Sequence, residues 1–235
     1  MIHIGIIPDG NRRWCKKNNL ELKDTIKIWT EKFLNILTEL ISNIDENKKK
    51  HQKYKKLKYI NEISLYVCSI DNLKRDDETL KCILKFIENI NKILFTKTEY
   101  IDEISFKKIQ YFLTRININI IGDMDLFPNS IQNILNKLKR KNEESVLTIN
   151  LAIGYNYNND LLNYKNNDMI HYNREQSNID LLFRSGGEKR ISGFFPTKTL
   201  YSELFFYNKL WPDITLNDFN KIIKKYLKRN RRFGK

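Results

Sequence analysis

His3–Trp14 reads HIGIIPDGNRRW, and the meaning of this stretch decides the rest. A short apolar run ends at a proline, which biases Ile7 to extended backbone, so the run predicts a strand that stops there. Beyond the proline come Asp9, a glycine hinge at Gly10, then Asn11, Arg12, Arg13 and Trp14. Asp-Gly-Asn by itself is a turn signal. One carboxylate beside two guanidiniums, directly after a buried strand, is the pattern of a site for anions or a metal. Gly10 lets backbone approach an anion, amides leading into a helix point at it, and Arg12 and Arg13 can fork onto phosphate oxygens.

Outward from this stretch, short apolar runs alternate with longer periodic segments. Ile63–Cys68, Ile116–Ile121, Val146–Ile153, Asp180–Phe183 and Glu203–Tyr207 read as five further strands. Apolar residues spaced by three or four predict helices from Asp24 through Ile44, from Asp76 and Asp77 through Leu94, from Pro128 through Leu138, and from Phe219 through Leu227. Asn156–Asn178 reads as an Asn-rich loop. Strands that are apolar on both faces and alternate with helices predict an α/β fold. We expect one domain over residues 1–235, with a mostly parallel six-stranded sheet flanked by helices.

Ligands of such sheets gather beyond the carboxyl ends of the strands. Four polar clusters fall near the predicted strands: Asp9–Arg13, Ser69–Arg75 (SIDNLKR), Arg184–Ser192 (RSGGEKRIS) and Glu203. Arg184 and Arg190 repeat the guanidinium pattern and Ser192 adds a neutral donor, so two arginine-bearing loops suggest two phosphate groups. Acids beside diphosphates are the means of holding Mg²⁺, which takes one or two carboxylates and keeps waters. The sequence contains no GxxxxGK[ST], GxGxxG or GxSxG.

Charge is unevenly placed. The 235 residues carry a net charge of +14. Asn47–Lys58 and Lys221–Lys235 contain no acid, and outside them 27 Lys and Arg face 28 Asp and Glu. The excess therefore sits in one Lys-rich insertion, about 47–58, and one basic tail, about 221–235. The insertion is poor in interleaved aromatics, which argues against nucleic acid and for a solvated loop or peripheral contact with an anionic membrane. Three scattered cysteines, no leader pattern and no apolar run of spanning length predict a cytoplasmic protein.

HIGIIPDGNRRW resembles the opening signature of the cis-prenyltransferases, the undecaprenyl diphosphate synthase-like family. Asp180–Ile214, DLLFRSGGEKRISGFFPTKTLYSELFFYNKLWPDI, resembles their second signature more closely still. Leu65–Arg75, Ile120–Asp123 (IIGD) and Arg231–Gly234 (RRFG) fit in order and position. The resemblance implies condensation of isopentenyl diphosphate onto an allylic diphosphate, commonly farnesyl diphosphate. It makes Asp9 the essential acid and, with Glu203, a Mg²⁺ ligand. Gly10, Asn11, Arg12, Arg13 and Trp14 would cradle the allylic diphosphate, and Arg184, Arg190 and Ser192 the isopentenyl diphosphate. Asn72, with Ser69 beside it, would assist proton removal. Asp71 and Arg75 would belong to the substrate loop. An apolar tunnel would take the growing chain, and a homodimer is expected, with Arg231 and Arg232 reaching the neighbouring subunit.

The chain also departs from that pattern. Leu22, Thr25 and Ile26 stand where the family has an arginine and a Gly-His pair, and Leu73 where it has a tryptophan. Pro8 replaces a methionine, and an arginine is missing near Leu126. These losses leave open a non-catalytic partner subunit of a heteromeric prenyltransferase. Survival of Asp9, Asn11, Arg13, Arg184, Arg190, Ser192 and Glu203 favours an enzyme.

Overall fold

The computed structural model describes residues 1–44, 59–96, 103–165 and 177–232. The Lys-rich insertion, most of the second half of the Asn-rich loop and the last three residues lie outside them. Six strands form one sheet: β1 Ile2–Ile7, β2 Ile60–Ser69, β3 Ile116–Ile121, β4 Leu147–Tyr155, β5 Leu181–Arg184 and β6 Glu203–Phe206. Their order is β3-β4-β2-β1-β5-β6 and every pairing is parallel. β1 is buried at all six positions, as a central strand covered on both faces must be.

The helices are α1 Asn11–Asn18, α2 Thr25–Ile44, α3 Ile70–Leu73, α4 Asp77–Phe95, α5 Glu103–Leu113, α6 Asn129–Leu138, α7 Tyr157–Lys165 and α8 Leu216–Tyr226. Asp76 caps α4 by accepting from the Thr79 amide at 2.7 Å, as expected. Asp24 does something other than cap α2. Its carboxylate accepts from the Glu21 amide at 2.9 Å, closing a tight turn over Leu22–Asp24 just before the helix. α5 and α7 are additions to the expected helices. α7 occupies the start of the expected loop, because its polar, Asn-rich composition hides any apolar stripe. At the end of α8, Phe219, Ile222, Ile223 and Tyr226 are buried but Leu227 is exposed.

Period-two alternation sends side chains to two cores. Ile4, Ile6, Ile63, Leu65, Ile149, Leu181 and Phe183 pack with residues of α4, α6 and α8 on one face. Ile7, Ala152, Leu182, Phe194 and Phe195 pack on the other. The second face also buries polar groups, and they satisfy one another. His3 Nε2 is 2.8 Å from Ser64 Oγ, Asn150 Nδ2 donates to Glu62 Oε1 at 2.8 Å, and Asn119 Nδ2 donates to Asn150 Oδ1 at 2.8 Å. Burial holds the His3 imidazole below its usual pKa, partly offset by the Glu62 charge.

Candidate active site

β1 and β5 are neighbours in register, Ile7 opposite Arg184. The loops that leave them therefore meet at the carboxyl edge of the sheet. The Asp9 amide donates to Ser185 Oγ at 2.9 Å, and that hydroxyl donates back to the Asp9 carbonyl at 2.8 Å. The Asp9 carboxylate then receives Arg184 Nη2 at 2.7 Å and Arg13 Nη2 at 3.3 Å. Burial works to raise this carboxyl, but the Arg184 hydrogen bond and charge, then Arg13, outweigh it and leave its pKa below the ordinary value. Arg184 is 5% exposed and spends Nη1 on Ser192 Oγ at 2.8 Å and the Arg190 carbonyl at 2.5 Å. Its Nε is buried with no hydrogen-bond partner among the described residues.

The glycines are there for close approach. Gly186 has φ +86°, and a Cβ on it would stand 2.8 Å from Arg13 Nη2 and 3.1 Å from the Asp9 carbonyl carbon. Its amide is not available to an anion, since it donates to the Lys209 carbonyl at 2.7 Å, and that of Gly187 donates to the Tyr207 carbonyl at 2.8 Å. Gly10 caps α1 at φ 102° with no side-chain cap, so the first-turn amides of Asn11–Arg13 remain for an anion.

The remaining expected residues have varied settings. Asn11 Nδ2 donates to the Pro8 carbonyl at 3.0 Å. Arg12 turns to α4, bonding Asp76 and Thr79. The Thr79 amide, then Arg12, hold the Asp76 carboxyl down at about 2. Trp14 Nε1 donates to Asp213 at 2.8 Å. Ser69 and Asn72 cap α3 reciprocally, with Asn72 N to Ser69 Oγ at 3.1 Å and Ser69 N to Asn72 Oδ1 at 3.0 Å. Asp71 and Arg75 are exposed on that loop, and no contact among the described residues ties them to Asp9. Arg190 pairs with Glu188 at 2.5 Å. Ile26 and Leu73 serve packing, Ile26 8% exposed in the core and Leu73 against it, while the Leu22 carbonyl receives Thr25 Oγ1 at 2.6 Å.

Glu203 is a correction. It opens β6 and stands opposite Leu181, which in turn stands opposite Ile4. That puts it at the amino end of the sheet, about 10 Å along the strands before Ile7, while Asp9 lies beyond the carboxyl end. Its carboxylate faces Arg229 at 3.7 Å. One chain therefore does not bring Asp9 and Glu203 to a shared metal. Among the described residues Glu188 shares an arginine with Asp9, lying 3.7 Å from Arg13, which also holds Asp9. It sits inside the RSGGEKRIS loop, and its charge among three cations is the signal for it. Arg231 also belongs to the amino end, where it bonds Asp180 and, at 2.9 Å, the Tyr226 hydroxyl of its own chain.

Behind the Asp9 loops, α2 lies over the sheet and encloses an apolar cavity of about 20 Å³ lined by Ile6, Trp29, Ile36, Ile63, Leu65, Ile149 and Trp211. Apolar walls of the expected tunnel are present, and among the described residues the space between them is about that of one water. On the opposite face, Tyr66 stacks on Phe194 at 4.8 Å and donates to the Ser192 carbonyl at 3.4 Å. It joins the second and third loops, and burial pushes its pKa up to about 12.

A parallel α/β sheet with a carboxylate and paired arginines at its carboxyl edge, backed by an apolar cavity, has the layout of a transferase acting on prenyl diphosphates. The family model described as undecaprenyl diphosphate synthase (Prenyltransf) matches residues 7–234, and the chain belongs to this prenyltransferase family. It is 29% identical to an isoprenyl transferase of Rickettsia typhi, over 99% of this chain and 97% of that one. It is likewise 29% identical to a tritrans,polycis-undecaprenyl-diphosphate synthase (geranylgeranyl-diphosphate specific) of Sulfurisphaera tokodaii, over 99% and 87%. The solved fold of lavandulyl diphosphate synthase from Lavandula x intermedia, in complex with dimethylallyl diphosphate, superposes with a TM-score of 0.72 at 20% identity, covering 99% and 98%. Among the described residues no helix is long and apolar enough to cross a membrane.

Proposed function

We propose that the protein elongates an allylic diphosphate with isopentenyl diphosphate, forming a cis double bond, with farnesyl diphosphate as the primer and Mg²⁺ as the metal. The observation that carries this reading is the Asp9 carboxylate held between Arg184 and Arg13 at the sheet edge, next to apolar walls. Asp9 fits Mg²⁺: it is a single, partly exposed carboxylate kept ionised by its neighbours, which suffices when diphosphate oxygens supply further ligands. Bound there, the metal would neutralise charge on the leaving diphosphate.

The protein groups do the rest. Arg13 and the α1 amides hold the allylic diphosphate as its carbon–oxygen bond breaks and the electron pair leaves with it. Arg184, Arg190 and Ser192 fix the isopentenyl diphosphate so that its double bond attacks the freed allylic carbon. Asn72 and Ser69 stand at the end of β2 to receive the proton then lost, which departs with the diphosphate.

A homodimer is part of this reading. β6 is an edge strand, and Leu204 within it and Leu200 and Tyr201 just before it are 45%, 78% and 66% exposed, an apolar rim that a second copy would cover. Glu203 and Arg231 lie on that same rim. Sedimentation velocity would find a dimer that Leu204→Lys splits; a monomeric wild type removes this part. Peripheral contact with an anionic membrane is supported by the outward lysines 221, 224, 225 and 228 around α8.

A non-catalytic partner subunit is the second reading, favoured by the narrow cavity. Incubation with farnesyl diphosphate, labelled isopentenyl diphosphate and Mg²⁺ separates the two. Extractable labelled polyprenyl product, absent with Asp9→Ala, supports the enzyme; no product with any allylic primer sinks it.

A further inference from the structure

We infer that Trp29 sets the length of hydrocarbon the active site accepts, by standing where the tail of the allylic substrate must enter. This rests on the prenyl-transfer reading above. Trp29 belongs to α2 and lines the apolar cavity directly behind the Asp9–Arg13 loop. Its indole N–H donates to Asn11 Oδ1 at 2.7 Å, so one end of the ring touches the diphosphate loop. The rest of the ring is wedged between Phe86, 5.2 Å away and edge-on, and Trp211, 5.7 Å away. An indole takes more space than an isoprene unit, and the cavity beside it measures about 20 Å³. A prenyl tail running from a diphosphate at Asn11 and Arg13 into the apolar layer therefore meets Trp29 first.

Room cannot come easily from shifting the helix. Lys32, one turn further along α2, donates its ammonium to the carbonyls of Pro212, at 2.9 Å, and Ile214, and so ties the helix to the turn that carries Trp211. In this inference the element that gives way is the indole. If it swings aside, the N–H releases Asn11, and the tail takes its place against Ile6, Ile63 and Leu65. The ring is thus a stop for short tails and a gate that longer tails must push open, with that work drawn from their binding.

The test compares wild type, Trp29→Ala and Trp29→Phe. Product lengths are read by chromatography of the labelled lipids. Affinities for non-reacting thiolo analogues of dimethylallyl and farnesyl diphosphate are read by calorimetry in Mg²⁺. Trp29→Ala should lengthen the products by at least one isoprene unit and improve the farnesyl-to-dimethylallyl affinity ratio by about tenfold. Trp29→Phe keeps most of the bulk and loses the Asn11 bond, so it should leave product length near wild type. If wild type is active and Trp29→Ala leaves both lengths and ratio unchanged, the inference is overturned while the function stands. If Trp29→Ala folds poorly, Trp29→Leu under the same ratio measurement decides it, an unchanged ratio counting against. A wild type that binds neither analogue and makes no product overturns the function, and this inference with it.

Discussion

Arg184 Nη2 lies 2.7 Å from Asp9 Oδ2, and the arginine is nearly fully buried while the acid keeps part of its surface in water. A buried cation thus fixes a partly exposed carboxylate at the edge of the pocket, beside the exposed Arg13 and Arg190. Replacing Arg184 by Met strands the Asp9 carboxylate, and stability should fall by about 2–3 kcal/mol, at the low end for a buried pair because Asp9 stays partly hydrated. Chemical denaturation measures this. Asp9→Asn leaves the buried Arg184 cation without its counter-charge, so it should also lower stability by a few kcal/mol. It should lose about a hundredfold or more in turnover, as a preorganised electrostatic group would.

Asp76 joins structure to the allylic loop, because it caps α4 and holds Arg12 at once. Asp76→Asn keeps the cap and loses the charge, whereas Asp76→Ala loses both. At neutral pH thermal melts should drop a little for the asparagine variant, which loses the charge, and further for the alanine variant, which loses the cap as well, and the allylic KM should rise for both. The carboxyl is depressed to about 2 in the folded state. Its stabilisation is therefore present above the unfolded value near 4 and lost as pH falls from about 4 toward 2. Asp76→Asn should flatten the melting curve's dependence on pH in that window, and an unchanged slope would contradict the assignment.

Gly186 and Gly187 both sit at positive φ, so alanine at either should cost roughly 1–2 kcal/mol of backbone strain. Only at Gly186 would the new methyl press on Arg13 and Asp9; at Gly187 the nearest atom is 3.6 Å away. Gly186→Ala should therefore reduce kcat about a hundredfold through misplacement of the acid, and Gly187→Ala by far less. Equal losses in a steady-state assay would mean that the close approach at Gly186 is irrelevant.

The sheet and its carboxyl-edge loops are legible in the sequence because they rest on local signals: Pro8 ends a strand, Asp76 caps a helix, and apolar runs on both faces ask for parallel neighbours. The place of Glu203 is not legible, because strand register is a long-range property. Nothing in ELFFY reveals that its first residue, unlike Arg184, enters the sheet at the amino end. Glu188 and Tyr66 are hidden for a related reason, since their partners Arg13 and Ser192 are far away in sequence. The width of the cavity depends on the rotamer of Trp29, and an apolar face read from periodicity is silent on rotamers.

Calorimetric binding of farnesyl thiolodiphosphate tests most directly the idea that Asp9, Arg13 and Arg184 together receive a metal-bound diphosphate. Binding should require Mg²⁺ in wild type and weaken by about a hundredfold in Asp9→Ala and in Arg13→Ala. Binding of equal strength with and without Mg²⁺, and in both variants, would contradict the account.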